Sequence, residues 1–224
     1  MKKVLFVIAG GQIRDLSFFQ AKLSELNPSG IICADSGAGH LYSIGIIPHV
    51  IIGDMDSLTS EMLEYFKERG CKIIRYPEAK DETDTQLALE YAFGMAPDEI
   101  YLFGAIGTRI DHTLANISLL VYGAKKGMNV RFIDEWCEAS IVSRELVIDG
   151  EPGQTVSLLP FSDVVKGITL NGFEYPLKDG VMEVGRPYGI SNRLTSKRGV
   201  ISVSTGYLLV IRYFKVGVLP LESI

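Results

Sequence analysis

Residues 49–57 read His-Val-Ile-Ile-Gly-Asp-Met-Asp-Ser, an apolar run that ends in Gly-Asp-x-Asp. The run has the length and β-branched content of a buried strand, which places Asp54 and Asp56 just past the carboxyl end of that strand. Open α/β sheets bind ligands at this edge. Two residues that lie two positions apart on extended backbone point the same way, and two such carboxylates repel each other unless a cation or proton intervenes.

Oxygen-only ligation is typical of Mg²⁺ that holds phosphate groups, so the pair predicts a magnesium site. The alternative is a polar turn in which Asp56 or Ser57 caps a helix predicted over residues 59–69, because Asp and Ser are preferred N-cap residues. The 49–57 stretch by itself leaves the two interpretations open.

Other carboxylates occupy equivalent places. Asp35 ends the apolar run 31–35, and Asp81 and Asp84 lie between a predicted strand at 71–76 and a predicted helix at 84–94. Each residue alone is more typical of a helix cap or a loop, since helix starts favour Asp. Together with Asp111 they would converge along one sheet edge, and so many carboxylates are hard to hold there without a divalent ion.

A fourth cluster follows a predicted strand at 99–104, where two glycines precede Arg109, Asp111, His112 and Asn116. Glycines allow the backbone to approach a ligand closely, and arginine offers a fork of donors to phosphate. His112 and Asn116 are four residues apart and share one helix face. The cluster predicts nucleotide binding; the alternative makes Asp111 a simple N-cap.

Strands and amphipathic segments alternate along the first part of the chain, which predicts an α/β domain with a mostly parallel, Rossmann-like sheet. After about residue 136 short β-branched runs recur between turns such as Asp149-Gly150, Asn171-Gly172 and Asp179-Gly180. This second texture predicts an all-β domain, either a sandwich or a partly open barrel. We therefore expect two domains, 1–136 and 137–224.

Composition excludes several classes of protein. Hydrophobic residues make up 47% and charged residues 22%, as in ordinary globular chains, and the net charge of −5 argues against a nucleic-acid partner. The first apolar run stops at Gly10, far short of the roughly 18 residues that a membrane span needs. Three cysteines without C-x-x-C spacing argue against a disulfide framework or a zinc site. We expect a cytoplasmic protein without a membrane partner.

The set of motifs resembles the thiamine pyrophosphokinase family of bacterial type over nearly the whole chain. In this sequence the motifs are Ala-Asp-Ser-Gly-Ala at 34–38, Gly-Asp-Met-Asp-Ser at 53–57, Lys-Asp-Glu-Thr-Asp at 80–84, Arg-Ile-Asp-His-Thr-Leu-Ala-Asn at 109–116, Ser-Leu-Leu-Pro at 157–160 and Gly-Ile-Ser-Asn at 189–192. Family members often have Gly where Ser36 stands, and frequently Gly and Leu where Thr108 and Ile110 stand.

The resemblance implies an α/β domain that binds ATP and Mg²⁺, a β-sandwich domain that contributes to the thiamine site, and a homodimer with active sites between subunits. The expected metal ligands are Asp35, Asp54, Asp56 and Asp81. The expected nucleotide contacts are Arg109, Asp111, His112, Asn116 and Asp84. Ser191 and Asn192 are expected to contact thiamine, and the expected catalytic residues are Asp54, Asp56, Asp81 and Asp111.

The implied reaction is attack of the thiamine hydroxyl on the β-phosphorus of ATP, which yields thiamine diphosphate and AMP. Asp81 or Asp111 is the expected proton acceptor. Two alternatives stay open from the residues: a diphosphokinase for another small alcohol, such as a hydroxymethyl-pterin, and a non-catalytic sensor of nucleotide or thiamine. The β domain argues against the first, and the set of repelling carboxylates argues against the second.

Overall fold

The computed structural model describes residues 2–216, and the chain divides into two compact units, Met1–Asp134 and Glu135–Ile224. The strands of the first unit are β1 (Val4–Ile8), β2 (Gly30–Ala34), β3 (Val50–Gly53), β4 (Lys72–Arg75), β5 (Glu99–Phe103) and β6 (Val130–Ile133). Its helices are α1 (Leu16–Leu26), α2 (Ala38–Ser43), α3 (Ser60–Glu68), α4 (Asp84–Gly94) and α5 (Ile110–Lys125). A 3₁₀ turn at Asp35–Gly37 joins β2 to α2.

The strands of the first unit form a parallel sheet in the order β4-β3-β2-β1-β5-β6. The chain builds outward from β1 to β4 and then returns to the other side of β1 as β5. Strand order therefore reverses between β1 and β5, and in open α/β sheets the crevice at the carboxyl ends of such a pair binds ligands. The fold thus makes the ends of β1 and β5 the first place to look for a site.

Buried apolar strands hold this sheet together. Every residue of β1 is buried, and the ring of Phe6 lies 4.9 Å from that of Phe103 on the paired strand β5. Phe19 of α1 meets Phe103 edge-to-face, with ring centroids 5.0 Å apart. Three fully buried rings in contact anchor α1 to the two strands at the reversal point.

The second unit is built of β-strands throughout its described residues. Its strands are β7 (Cys137–Val142), β8 (Glu145–Asp149), β9 (Thr155–Pro160), β10 (Val164–Asn171), β11 (Leu177–Glu183), β12 (Asn192–Arg193), β13 (Arg198–Ser202) and β14 (Leu208–Tyr213). Antiparallel pairing gives the orders β12-β9-β14-β7 and β11-β10-β13-β8. Buried residues of both sets, including Leu158, Ile168, Ile201 and Leu208, form one hydrophobic cluster.

The predicted succession of an α/β part and an all-β part agrees in outline with the structure. Two details differ. The β-branched run 139–148, one of the runs that predict strands in the second part of the chain, is two strands, because exposed Ser143 and Arg144 interrupt it and β7 and β8 pair in different sheets. Asp179-Gly180 is not a hairpin turn but lies within β11, where Asp179 has a φ of 51° opposite an irregular stretch of β10. No helix within residues 2–216 has the length and apolar character needed to cross a membrane.

Candidate active site

A cavity of about 510 Å³ opens at the carboxyl edge of the parallel sheet. The strand ends and helix starts around it contribute Gly10, Gly11, Ala34, Asp35, Ser36, Asp54, Asp56, Ser57, Glu78, Lys80, Glu82, Thr83, Asp84, Thr85, Ala105, Gly107, Thr108, Arg109, His112, Ala115 and Asn116. Its lining combines glycine backbone with many acidic and a few basic side chains. The cavity therefore joins the reversal point of the sheet to the predicted carboxylate cluster.

Two glycine-containing loops form the wall at the β1 and β5 ends. The Gly11 amide donates to the Gly104 carbonyl at 2.8 Å, and the Gln12 amide donates to the Ile106 carbonyl at 2.7 Å. A Cβ on Gly11 would lie 2.3 Å from the Gly104 oxygen, so only glycine fits there. The close backbone packing leaves this wall without side-chain bulk, as phosphate-binding loops require.

Three carboxylates, which we call the carboxylate triad, meet at the other side of the cavity: Asp35, Asp54 and Asp84. Each offers one oxygen, and the three oxygens lie within 4.8 Å of one another. Asp35 is only 5% exposed, and its Oδ1 is buried without a hydrogen-bond partner. Burial raises the pKa of Asp35, an effect that hydrogen bonds from Ser57 and Ser36 oppose.

Gly53 allows the triad to close. It ends β3 with a φ of 155°, and a Cβ built on it would lie 2.8 Å from the Asp35 Cβ and 3.1 Å from the Asp84 Cγ. Both distances are shorter than ordinary carbon contacts, so a larger residue would force the two carboxylates apart. Glycine before Asp54 is therefore part of the site and not only a flexible turn.

Lys80 lies against the triad. Its Nζ is 3.1 Å from Asp84 Oδ1 and 3.5 Å from Asp54 Oδ2, and its side chain is 11% exposed. The pKa of Asp54 is lowered, first by a hydrogen bond from the Asp56 amide and also by the charge of Lys80. Asp54 is thus held ionised, whereas the surroundings of Asp35 oppose its ionisation.

Asp56 lines the cavity but lies outside the triad. Our expectation of extended backbone here is wrong, because Met55 has a φ of 68° and turns the chain between the two aspartates. Neither Asp56 nor Ser57 caps the next helix: Thr59 is the N-cap of α3 and accepts a hydrogen bond from the Met62 amide at 3.2 Å. The capping alternative for this stretch therefore does not hold.

Arg109 and Asp111 form an exposed two-point ion pair at the start of α5. Arg109 Nη2 lies 2.6 Å from Asp111 Oδ2, and Arg109 Nε donates to Oδ1 at 3.2 Å. The bond to Arg109 lowers the pKa of Asp111 to about 2. Arg109 lines the cavity and Asp111 does not, which places Asp111 behind the guanidinium as its orienting partner.

His112 and Asn116 both line the cavity, as their shared helix face predicts. The buried Asn116 side chain donates from Nδ2 to the Ala105 carbonyl at 2.9 Å and so ties α5 to the loop after β5. Thr113 makes a second bond between α5 and this loop, since its hydroxyl accepts a hydrogen bond from the Gly107 amide at 3.3 Å. These bonds fix the shape of the glycine wall.

The remaining predicted residues lie elsewhere. Asp81 is exposed and is neither in the triad nor in the cavity lining. In the second unit, buried Asn192 accepts from the Tyr175 amide at 3.0 Å and donates to the Tyr175 carbonyl at 2.8 Å. Asn192 lines a hollow of about 140 Å³, whereas Ser191, with a φ of 61°, donates its amide to Ser157 Oγ.

Sequence reasoning gave no site role to Gly10, Gly11, Lys80 or His40. The glycine pair directly after the first buried strand could have predicted a ligand-binding loop, provided that this strand was placed beside the strand at 99–103. His40 gave none: its Nε2 lies 2.7 Å from the Gly11 carbonyl, a contact between residues 29 positions apart. Asp84 was predicted to bind nucleotide, and the structure places it in the carboxylate triad.

Comparison with known proteins supports what the geometry indicates. Residues 24–132 match the family model "Thiamin pyrophosphokinase, catalytic domain", and residues 143–209 match "Thiamin pyrophosphokinase, vitamin B1 binding domain". The thiamine pyrophosphokinase of Bacillus subtilis is 36% identical over 183 residues, which cover 81% of this chain and 86% of that protein. The chain belongs to the thiamin pyrophosphokinase family. The family resemblance predicted from the motifs is thereby confirmed.

Solved structures of the family agree with this placement. The thiamine pyrophosphokinase crystal structure from Bacillus subtilis superposes with a TM-score of 0.83 at 33% identity, covering 96% of this chain and 100% of that one. The thiamin pyrophosphokinase from Geobacillus thermodenitrificans gives a TM-score of 0.81 at 27% identity, with 96% and 100% coverage. The fold described above is therefore the fold of this family.

Proposed function

We propose that the protein transfers the diphosphoryl group of ATP to the hydroxyl of thiamine, releasing AMP and thiamine diphosphate. Family membership supports the reaction class and both substrates. We locate the reaction in the cavity of the first unit on one observation: the carboxylate triad, glycine backbone without side chains, and Arg109 all line this cavity.

We further propose that the triad holds Mg²⁺. Its donors are carboxylate oxygens only, which suits a hard cation, and the buried Oδ1 of Asp35 has no other partner. Bound there, Mg²⁺ would supply neutralisation of phosphate charge. Asp35 and Asp54 keep the roles expected from the sequence, and Asp84 joins them. Asp56, on the cavity wall, stays a proposed ligand, and exposed Asp81 is the least supported member of the set.

The chain's own residues do the rest of the work by positioning and charge. The glycine wall allows backbone close to the phosphates, and Arg109, oriented by Asp111, offers its guanidinium to them. We assign His112 and Asn116 to the nucleotide side of the cavity. Phosphoryl transfer needs little covalent help from the protein, so positioning and electrostatics account for most of the catalysis.

The proton of the attacking hydroxyl requires an acceptor. Asp111, with a pKa of about 2 and both oxygens paired to Arg109, is a poor one. Asp81 is the remaining candidate from the sequence, although it is exposed and lies outside the cavity lining.

Three further proposals concern the roles of the two domains, the oligomeric state and the location in the cell. Residues 1–136 act as a Rossmann-like nucleotide and Mg²⁺ domain, and 137–224 as a thiamine-binding β-sandwich in which Ser191 and Asn192 contact or shape the acceptor site. The protein works as a homodimer with active sites between subunits, and it acts in the cytoplasm. Size-exclusion chromatography with light scattering checks the dimer: a mass near 49 kDa, twice the 24.6 kDa chain, is expected, and a monomer would contradict it.

An acceptor panel tests the reaction. The protein is mixed with ATP, Mg²⁺ and either thiamine or a hydroxymethyl-pterin, and AMP and the diphosphorylated acceptor are measured. We expect AMP only with thiamine. Product from the pterin instead of thiamine would support the other diphosphokinase, and no AMP with either acceptor would support a non-catalytic sensor.

A further inference from the structure

Lys80 contacts two members of the carboxylate triad but has no role in the function as described so far. Its ammonium is 3.1 Å from Asp84 and 3.5 Å from Asp54, and it donates to the Pro77 carbonyl at 3.1 Å. The side chain is 11% exposed, so these contacts are largely shielded from water. Shielding makes charge interactions stronger than at the surface.

The charges around the triad do not balance with Lys80 alone. Three carboxyl groups face a single ammonium, and the buried Oδ1 of Asp35 has no hydrogen-bond partner. Arg75 is also nearby, but its guanidinium reaches the Asp54 backbone carbonyl, at 3.4 Å, and not the carboxylate. Among described residues, Lys80 is the cationic side chain paired with triad oxygens.

A divalent cation held by the triad would bind the carboxylates of Asp54 and Asp84, which Lys80 also contacts. An ammonium and a divalent ion cannot both approach one carboxylate oxygen closely without repelling each other. Lys80 also lines the cavity, so its flexible stem can swing the ammonium away from the triad and stay within the same cavity.

We propose that Lys80 is a tethered counter-ion that competes with the divalent cation for Asp54 and Asp84. This inference rests on the proposed cation site. In the absence of a divalent ion Lys80 keeps the triad together by offsetting its repulsion. When the ion binds, the ammonium leaves the carboxylates and faces the cavity that receives the phosphates. The residue therefore lowers the affinity of the triad for the divalent cation.

Cation binding without nucleotide tests the proposal directly. Free Mn²⁺ is titrated by electron paramagnetic resonance against the wild type, Lys80→Gln and Lys80→Arg. We expect Lys80→Gln to bind Mn²⁺ about tenfold more tightly, because the competing charge is gone, and Lys80→Arg to stay within about threefold of the wild type. In EDTA, Lys80→Gln should also unfold at a lower temperature than the wild type. Saturating Mn²⁺ should then raise the unfolding temperature of Lys80→Gln by more than it raises that of the wild type.

Arg75→Gln is the matched control, since it removes the same charge beside Asp54 without touching a triad oxygen. Its Mn²⁺ affinity should change less than twofold. Equal tightening in Arg75→Gln and Lys80→Gln would reduce the effect to general electrostatics and overturn the proposal. Unchanged or weaker Mn²⁺ binding by Lys80→Gln would also overturn it.

Asp54→Asn separates this inference from the function on which it rests. Only the counter-ion role is wrong if three results are found together: the wild type binds Mn²⁺, Asp54→Asn does not bind it, and Lys80→Gln binds it no more tightly than the wild type. If Asp54→Asn binds Mn²⁺ as the wild type does, the cation site itself is wrong and the counter-ion role falls with it. Circular dichroism of each variant confirms that the fold is retained.

Discussion

Replacing Gly53 with alanine should damage both stability and activity, because the carboxylate triad closes around that glycine. The added Cβ would lie 2.8 Å from the Asp35 Cβ and 3.1 Å from the Asp84 Cγ, with side chains that are already packed. Overpacking of this kind costs about 1–3 kcal/mol. The φ of 155° adds about 1–3 kcal/mol of backbone strain for a residue with a side chain.

The expected loss of unfolding free energy is therefore about 2–6 kcal/mol. With an m-value of about 2 kcal/mol per molar urea, the midpoint should fall by about 1–3 M. Circular dichroism at 222 nm is the suitable signal, because the five described α-helices lie in the first unit. Turnover of ATP in the presence of thiamine should fall as well, since the carboxylates are forced apart.

Two other glycines separate the steric cost from the backbone cost. Gly45 has a φ of 67° but nothing within 4 Å of its Cβ position, so Gly45→Ala should lose only about 1–2 kcal/mol. Gly39, inside α2 with open space around it, should gain up to about 1 kcal/mol as alanine. Neither variant should reduce turnover. If the unfolding free energy of Gly53→Ala lies within about 0.5 kcal/mol of that of Gly39→Ala and the variant keeps its activity, the triad is not closely packed around Gly53.

Further predictions follow from the same contacts. Asp54→Asn and Asp56→Asn should each lose most activity with circular dichroism unchanged; near wild-type turnover at saturating Mg²⁺ would contradict the metal role. Burial raises the folded-state pKa of Asp35 above 3.8, so its ionisation weakens the fold as pH rises from about 3.8 through that raised pKa. Asp35→Asn should therefore unfold at a higher urea concentration than the wild type at pH 7 but not at pH 3. The variant should also lose activity. Equal urea midpoints for the two proteins at pH 7 would show that ionised Asp35 does not weaken the fold. His40→Ala should raise KM for ATP more than it lowers kcat, because the Gly11 carbonyl loses the hydrogen bond from His40. His40→Gln restores a donor and should bring KM most of the way back to the wild-type value. Equal KM values for the two variants would contradict a positioning role for His40. Asn192→Ala should destabilise the second unit by about 1–3 kcal/mol through loss of both bonds to Tyr175, measured by the urea dependence of Trp136 fluorescence, and an unchanged midpoint would contradict it.

Much of the first unit could be predicted because its signals are local. Apolar runs ending at glycine or aspartate mark the strand ends, and the helix predicted over 84–94 is α4, whose N-cap Thr83 accepts a hydrogen bond from the Gln86 amide at 3.2 Å. The strand ends also predicted that several aspartates would converge at one edge of the sheet, and the structure brings Asp35, Asp54 and Asp84 together there. Local patterns carry this information because helix caps and strand ends depend on a few neighbouring residues.

The parts that escaped prediction depend on contacts between distant positions or on unusual backbone. The positive φ of Met55 separates Asp56 from Asp54, and no feature of the sequence marks a methionine for that conformation. Lys80 reaches Asp54 across 26 positions, and His40 reaches Gly11 across 29. In the second unit, β8 leaves its neighbour β7 to pair with β13, a choice that the shared β-branched composition of both strands does not reveal.

The proposed function requires that the protein transfer a diphosphoryl group, not a single phosphoryl group, to thiamine. Phosphorus-31 NMR of a reaction with ATP, Mg²⁺ and thiamine measures this directly, with Asp54→Asn as the matched control. We predict equal amounts of AMP and thiamine diphosphate from the wild type and neither from Asp54→Asn. ADP with thiamine monophosphate would contradict diphosphoryl transfer, and the same products at the same rate from Asp54→Asn would contradict the role of the carboxylate triad.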